Sequence, residues 1–187
     1  MAVLVLGLII FLAPHLLREL GLRQNLKQAL PWESAYKGLY SLVTFAGLAL
    51  IIWGKSLAPF LMIWQPIYEL RSLSLMLMIP ALICLVAGNV PLSHLRKLLR
   101  NPMMVGVLLW SLSHLWSNGD LASILLFGSF GLWSLIKIFS LRKVVDVHSR
   151  SPSVIWDIIS LLGGLALYAI IGLYHGQLFG VGIGLAY

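Results

Sequence analysis

The sequence predicts an all-α polytopic membrane protein, a bundle of about six transmembrane helices. Two observations carry that expectation. Of 187 residues, 60% are hydrophobic and only 10% charged, and the mean hydropathy of +0.96 lies far above that of soluble domains. The few charges are also gathered together, leaving runs free of Asp, Glu, Lys and Arg at 1–17, 38–54, 72–95, 101–119, 121–136 and 158–187. A bilayer-crossing helix needs roughly 17–25 residues, so each run is one span, with the first, second and fifth near the lower limit.

The first run lacks both the basic n-region and the A-x-A cleavage site of a secretory signal, so it reads as a retained first helix. A shorter apolar stretch, "SLAPFLMIWQPIY" at 56–68, is broken twice by proline and reads as an interfacial loop. No long soluble segment interrupts the spans, which gives a single integral membrane domain over 1–187 with no internal repeat. The last span is rich in small residues, Gly163, Gly164, Ala166, Ala169 and Gly172, as close helix approach in lipid requires. The terminal "GVGIGLAY" has neither the strand nor the helix that a nucleotide-binding glycine loop needs.

Net charge is +7, and its distribution points to topology rather than to nucleic acid. The first loop holds Arg18, Arg23, Lys27 and Lys37, the third Arg96, Lys97 and Arg100, and the fifth Arg142, Lys143 and Arg150, with Lys137 at its edge. The second loop holds only Lys55 and Arg71, and the fourth none. By the positive-inside rule the odd loops face the cytoplasm, both termini face the other side, and the basic loops meet anionic lipid. Trp53, Trp64 and Trp116 then fall at the outer interface, Trp32 and Trp156 at the inner one, while Trp110 and Trp133 lie deeper.

Cys84 is the single cysteine, so no intrachain disulfide forms and thiolate-rich metal sites are unsupported. No acid–base pair or nucleophile lies within the spans, since Lys137 and Asp157 sit at span ends; hydrolysis and group transfer find no support. Five histidines remain. His94 and His148 lie among basic loop residues and His175 at the outer end of the last span, where interfacial roles account for them. His15 and His114 lie inside apolar runs, where an ionisable side chain is expensive and faces the protein interior, as a helix-to-helix hydrogen bond or as a cofactor or proton-transfer group.

Pro14 precedes His15 and bends its helix by leaving the Ile10 carbonyl without a donor. Arg18, one turn on, can reach a phosphate or the carboxylate of a bound group. In the fourth run Val107, Trp110, Ser111, His114 and Asn118 fall on one helical face, a polar stripe on a greasy helix. "NGD" at 118–120 reads as a tight turn with Asp120 placed to cap the next helix, and Asn118 as a candidate hydrogen-bond partner for a ligating histidine. Two histidines on different helices without thiolates favour haem over zinc or iron–sulfur, and the absence of C-x-x-C-H makes any haem non-covalent.

Four stretches, "GLIIFLAPHLLREL", "YKGLYSLVTFAGLALIIWG", "RSLSLMLMIPALICLVAG" and "LLRNPMMVGVLLWSLSHLWSNGDLASILLFGSFGLWSL", resemble the NnrU family, denitrification-associated membrane proteins similar to zeta-carotene isomerase. The resemblance spans nearly the whole chain. It implies haem b held by His15 and His114; the spacing of the residues adds Trp110, Asn118 and Arg18 as candidate neighbours of that group, and the loop charges place both termini on the periplasmic side of a bacterial inner membrane. It further implies an accessory or assembly role beside a nitrite or nitric oxide reductase system. If the protein is an enzyme, the implied activity is haem-dependent cis–trans isomerisation of a hydrophobic polyene; a bundle without cofactor is the third reading. Membrane lipids are expected partners and nucleic acid is not. Where relatives read Arg-His-Pro, this chain has Arg100, Asn101 and Pro102, which argues against a methyltransferase and removes one candidate ligand.

Topology also separates the two histidines. Each is four or five residues from its span centre in opposite halves, about 14 Å apart along the normal at about 1.5 Å per residue. A shared site then requires tilted or displaced helices. The alternative neighbours are His15 with His94 on the inner side and His114 with His175 on the outer.

Overall fold

The computed structural model describes residues 1–67, 71–141, 151–180 and 183. Among them the elements run α1 (Ala2–Leu16), α2 (Arg23–Ala29), α3 (Glu33–Ser56), α4 (Arg71–Asn89), α5 (His94–Leu99), α6 (Pro102–Ser117), α7 (Leu121–Leu141) and α8 (Val154–Phe179). The expectations placed on Tyr68, Arg142, Lys143, His148 and Arg150, and on most of the terminal glycine-rich stretch, lie outside the described residues.

The all-helical membrane architecture holds, with the spans of two kinds. Helices α3, α4, α7 and α8 are long and apolar enough to cross a bilayer. Helices α1 and α6 have 15 and 16 residues, about 22–24 Å at about 1.5 Å per residue, against a hydrocarbon core of about 30 Å. Their brevity has local causes. Pro14 stands in the last turn of α1, Pro102 opens α6, and Asn118-Gly119 stops it.

Helix ends differ from the uncharged runs where capping outweighs hydropathy. Helix α3 begins at Glu33, ahead of its apolar run, with an acidic side chain in the first turn where the helix dipole favours it. Helix α4 stops at Asn89 and releases Leu95 into α5, because Pro91 cannot donate and holds Val90 out of the helical region. Helix α8 ends on Gly180 in the left-handed conformation (φ 73°), whose N–H bonds the Gly176 carbonyl, a glycine C-cap.

The chain forms two compact units: 1–65 with 118–129, and 66–117 with 130–187. In the first, α1 and α3 pack backbone to backbone. A Cβ on Gly7 would stand 2.6 Å from Ile51 N, one on Gly47 2.6 Å from Phe11 N, and one on Gly54 would strike Leu4 N. The matched positions run in opposite directions along the two helices, an antiparallel register fixed by glycine. At the far end of α3 the loop pairs with the residues before α7: Leu121 N–H donates to Leu61 O (2.8 Å) and Ile63 N–H to Gly119 O (2.8 Å).

In the second unit α4 packs against both α6 and α8. A Cβ on Gly106 would stand 2.7 Å from Ala81 O, and one on Gly164 2.6 Å from Ile83 Cα. Serine joins α6 to α4 as well: Ser113 Oγ donates to Ser74 O (2.8 Å) and Ser117 Oγ to Ser74 Oγ (2.6 Å). The end of α6 thus meets the start of α4, and the Leu92 carbonyl before α5 accepts from Ser153 N–H before α8 (3.1 Å). Within this unit α6 and α8 each run antiparallel to α4.

Candidate functional site

The glycine register of α1 on α3 sets the surroundings of His15. With Gly7 on Ile51 and Phe11 on Gly47, the next turn of α1 brings His15 to Tyr40, ring centroids 5.4 Å apart and edge-on. Phe11, four residues earlier, stacks on the imidazole at 4.7 Å, as side chains one turn apart do. The Phe11 carbonyl lies 2.7 Å from His15 Nδ1. A carbonyl can only accept, so Nδ1 carries a proton, and in the neutral ring Nε2 is then the basic nitrogen.

His114 repeats this arrangement on α6. Its Nδ1 lies 2.8 Å from the Trp110 carbonyl, and the Trp110 ring stands 5.3 Å from the imidazole. Nδ1 again carries the proton and Nε2 the lone pair. Trp110 meets Phe130 edge-on at 5.6 Å, and Phe130 meets Trp133 likewise at 6.1 Å. Trp133 is buried, as its depth in the sequence suggested.

Ser111, on the expected stripe, is fully buried and its Oγ finds no hydrogen-bond partner among the described residues. The buried serines Ser113, Ser134 and Ser160 each donate to a backbone carbonyl.

The remaining expected residues fall elsewhere. Helix α6 ends at Ser117, so Asn118 lies just past it, in the first unit's second segment. Arg18 lies in the exposed turn after α1, where its carbonyl accepts from Gly21 N–H (3.1 Å). His15 belongs to the first unit and His114 and His94 to the second. His175, in the same unit as His114, is within electrostatic reach of it and contacts Phe179 at 4.9 Å.

Two ionic clusters are structural anchors. Asp157 Oδ2 accepts from His94 N–H (3.1 Å) and meets its Nδ1 at 2.7 Å, while Oδ1 accepts from Leu95 N–H (2.9 Å). That ties the start of α5 to α8. In the other unit Lys55 Nζ donates to Asp120 Oδ1 (3.1 Å) and Ser123 Oγ (2.9 Å), and Asp120 Oδ1 accepts from Ser123 N–H (3.0 Å), capping α7 as its position in "NGD" predicts. Burial pushes the Asp120 carboxyl up, but the Ser123 hydroxyl and N–H and the Lys55 ammonium together outweigh it and hold the group below its ordinary range.

Sequence reading missed Phe11, Tyr40 and Phe130. The first was legible, since an aromatic residue stands four positions before each intramembrane histidine. Tyr40 and Phe130 arrive through tertiary packing, which no spacing reveals.

Among the described residues no three His, Cys, Asp or Glu side chains gather as a metal site. An imidazole whose N–H is held by a carbonyl is a donor that haem iron would take, since that hydrogen bond fixes ring orientation and raises basicity. The residues present fit haem on that chemistry.

Fold and site together define a multi-pass α-helical membrane protein with two histidines whose ring nitrogens are anchored on backbone carbonyls. The family model described as NnrU protein matches residues 3–183, and the chain belongs to the NnrU family. No curated protein and no solved structure matches it.

Proposed function

We propose that the protein holds haem b non-covalently in the bacterial inner membrane, where His15 and His114 would ligate it, and serves nitrite or nitric oxide reduction as an accessory or assembly factor. The observation that supports this reading is the repeated anchoring of the two imidazoles: each gives its Nδ1 proton to the carbonyl four residues earlier, and each so presents Nε2 as the basic nitrogen. When bound, haem supplies a one-electron iron couple.

The chain's own residues do the rest. Phe11 and Tyr40 flank His15, Trp110 flanks His114, and these rings limit rotation of the imidazoles and keep water from them. Arg18, exposed at the end of α1, is positioned for a carboxylate at the membrane surface. Denitrification and the membrane assignment with periplasmic termini rest on family membership and on loop charge.

The test is an absorption spectrum of detergent-purified protein expressed with ample haem, oxidised and reduced. A Soret band that is lost in His114→Ala and in His15→Ala is the expected result. A missing band in the wild type overturns haem binding, and a band intact in both variants overturns the ligands. Loss with His114→Ala and His175→Ala, but not with His15→Ala, transfers the second ligand to α8.

A further inference from the structure

The segment 57–65, between α3 and the second unit, takes no part in either histidine site. It has no charged residue and no helix, yet it is ordered against the start of α7. Ile63 and Trp64 N–H both point to the Gly119 carbonyl (2.8 and 3.2 Å), Leu121 N–H to Leu61 O (2.8 Å), and Met62 and Asp120 form an antiparallel bridge. Beneath it, Lys55 is engaged by Asp120 and Ser123. Its side chains are turned outward all the same: Phe60 is 72% exposed, Ile63 59% and Met62 51%.

We propose that residues 57–65 form a preformed anchor that seats Phe60, Met62, Ile63 and Trp64 among the headgroups and upper acyl chains of the leaflet where α3 ends and α7 begins.

Four features single out lipid as the occupant. The loop is tied to the last turn of one membrane-crossing helix and the first turn of another, which fixes its depth at the edge of the hydrocarbon. The nearest charge, Lys55, is already paired, so no lone ammonium is carried into that zone. Part of its backbone is paired with residues 119–121, which lowers the cost of leaving water. Trp64 lies within the segment and Trp53 about one turn before its start, and Trp53 is itself exposed, as rings at a headgroup boundary are. Held instead in water, this run would be a contiguous apolar patch of the kind soluble surfaces avoid.

The experiment uses the full chain in phosphatidylcholine nanodiscs, with Cys84→Ser as background and Phe60→Cys or Met62→Cys labelled with bimane. Both side chains are exposed, so the replacements leave the packing untouched. Lipid brominated near the headgroup is expected to lower bimane emission about twofold relative to unbrominated lipid, with iodide in the aqueous phase having little effect. Strong iodide quenching without bromine quenching places the loop in water and overturns the proposal. Protection from both quenchers at both positions means that protein covers the loop, a second copy or another chain, and overturns it equally.

Discussion

The two intramembrane histidines end in the same local geometry but are held by different means. His15 sits on a helix pair joined through glycine, where Gly7, Gly47 and Gly54 let backbones touch. His114 sits on a pair joined through glycine and serine, with Ser113 and Ser117 both reaching Ser74. The first contact is a close fit of backbones across glycine. The second adds the directional Ser113 and Ser117 bonds, which still hold if contact loosens, so steric change should injure the first unit more and loss of these hydroxyls the second.

The largest effect is expected from Gly54→Leu, whose side chain would drive into the α1 backbone at Leu4. Overpacking of this kind costs about 1–3 kcal/mol or more. Thermal unfolding in detergent should show a clear loss, accompanied by a changed His15 environment and an unchanged His114. Gly128→Ala meets nothing within 4 Å and should be neutral or slightly stabilising in the same assay, since alanine exceeds glycine by about 1 kcal/mol in a helix. Equal damage from both substitutions would remove the steric account of the first unit.

Asp120→Ala should come next, at about 1–2 kcal/mol for a lost helix cap, with the partly exposed Lys55 contact adding little. Its pH dependence has a definite sign. A carboxyl held below its ordinary range contributes stability that is full above the unfolded value, near 3.8, and is lost as pH falls through the lower folded value. Wild type should therefore lose stability on acidification below the ordinary carboxylate range by more than Asp120→Asn does, measured by urea unfolding across that window.

Ser113→Ala should cost about 0.6 kcal/mol, the usual worth of a hydrogen bond between membrane helices, and should disturb the His114 environment without touching His15. Smallest is Ser111→Ala. Its hydroxyl is buried without a partner, so removal relieves an unmet desolvation cost and leaves stability unchanged or slightly raised. A loss as large as that of Ser113→Ala would show that the Ser111 hydroxyl is bonded after all.

What the sequence made legible follows from which physics is local. Charge-free runs identified the four helices that are long and apolar enough to cross a membrane, because lipid excludes charge regardless of tertiary structure, and His15 and His114 stood out for the same reason. The cap at Asp120 was readable because it depends on three consecutive positions after a turn. Helix length was not readable from hydropathy: Pro91 cut the third run short, and the short helices α1 and α6 both proved to carry the intramembrane histidines. Nor could spacing place Tyr40 beside His15 or Phe130 beside Trp110, since both arise from contacts between distant segments. Asn118 stands one residue past the end of α6 at Ser117, where helical periodicity no longer sets a side chain's face.

The central claim is that both imidazoles are neutral, protonated on Nδ1 and basic at Nε2. Nitrogen-15 NMR of histidine-labelled, haem-free protein in nanodiscs, with His15→Gln and His114→Gln to assign the signals, reads the tautomer of each ring. The account predicts the Nδ1–H tautomer for both residues at neutral pH. Finding the proton on Nε2 of either ring would contradict it, because the carbonyl at Phe11 or Trp110 would then face a nitrogen with no proton to give.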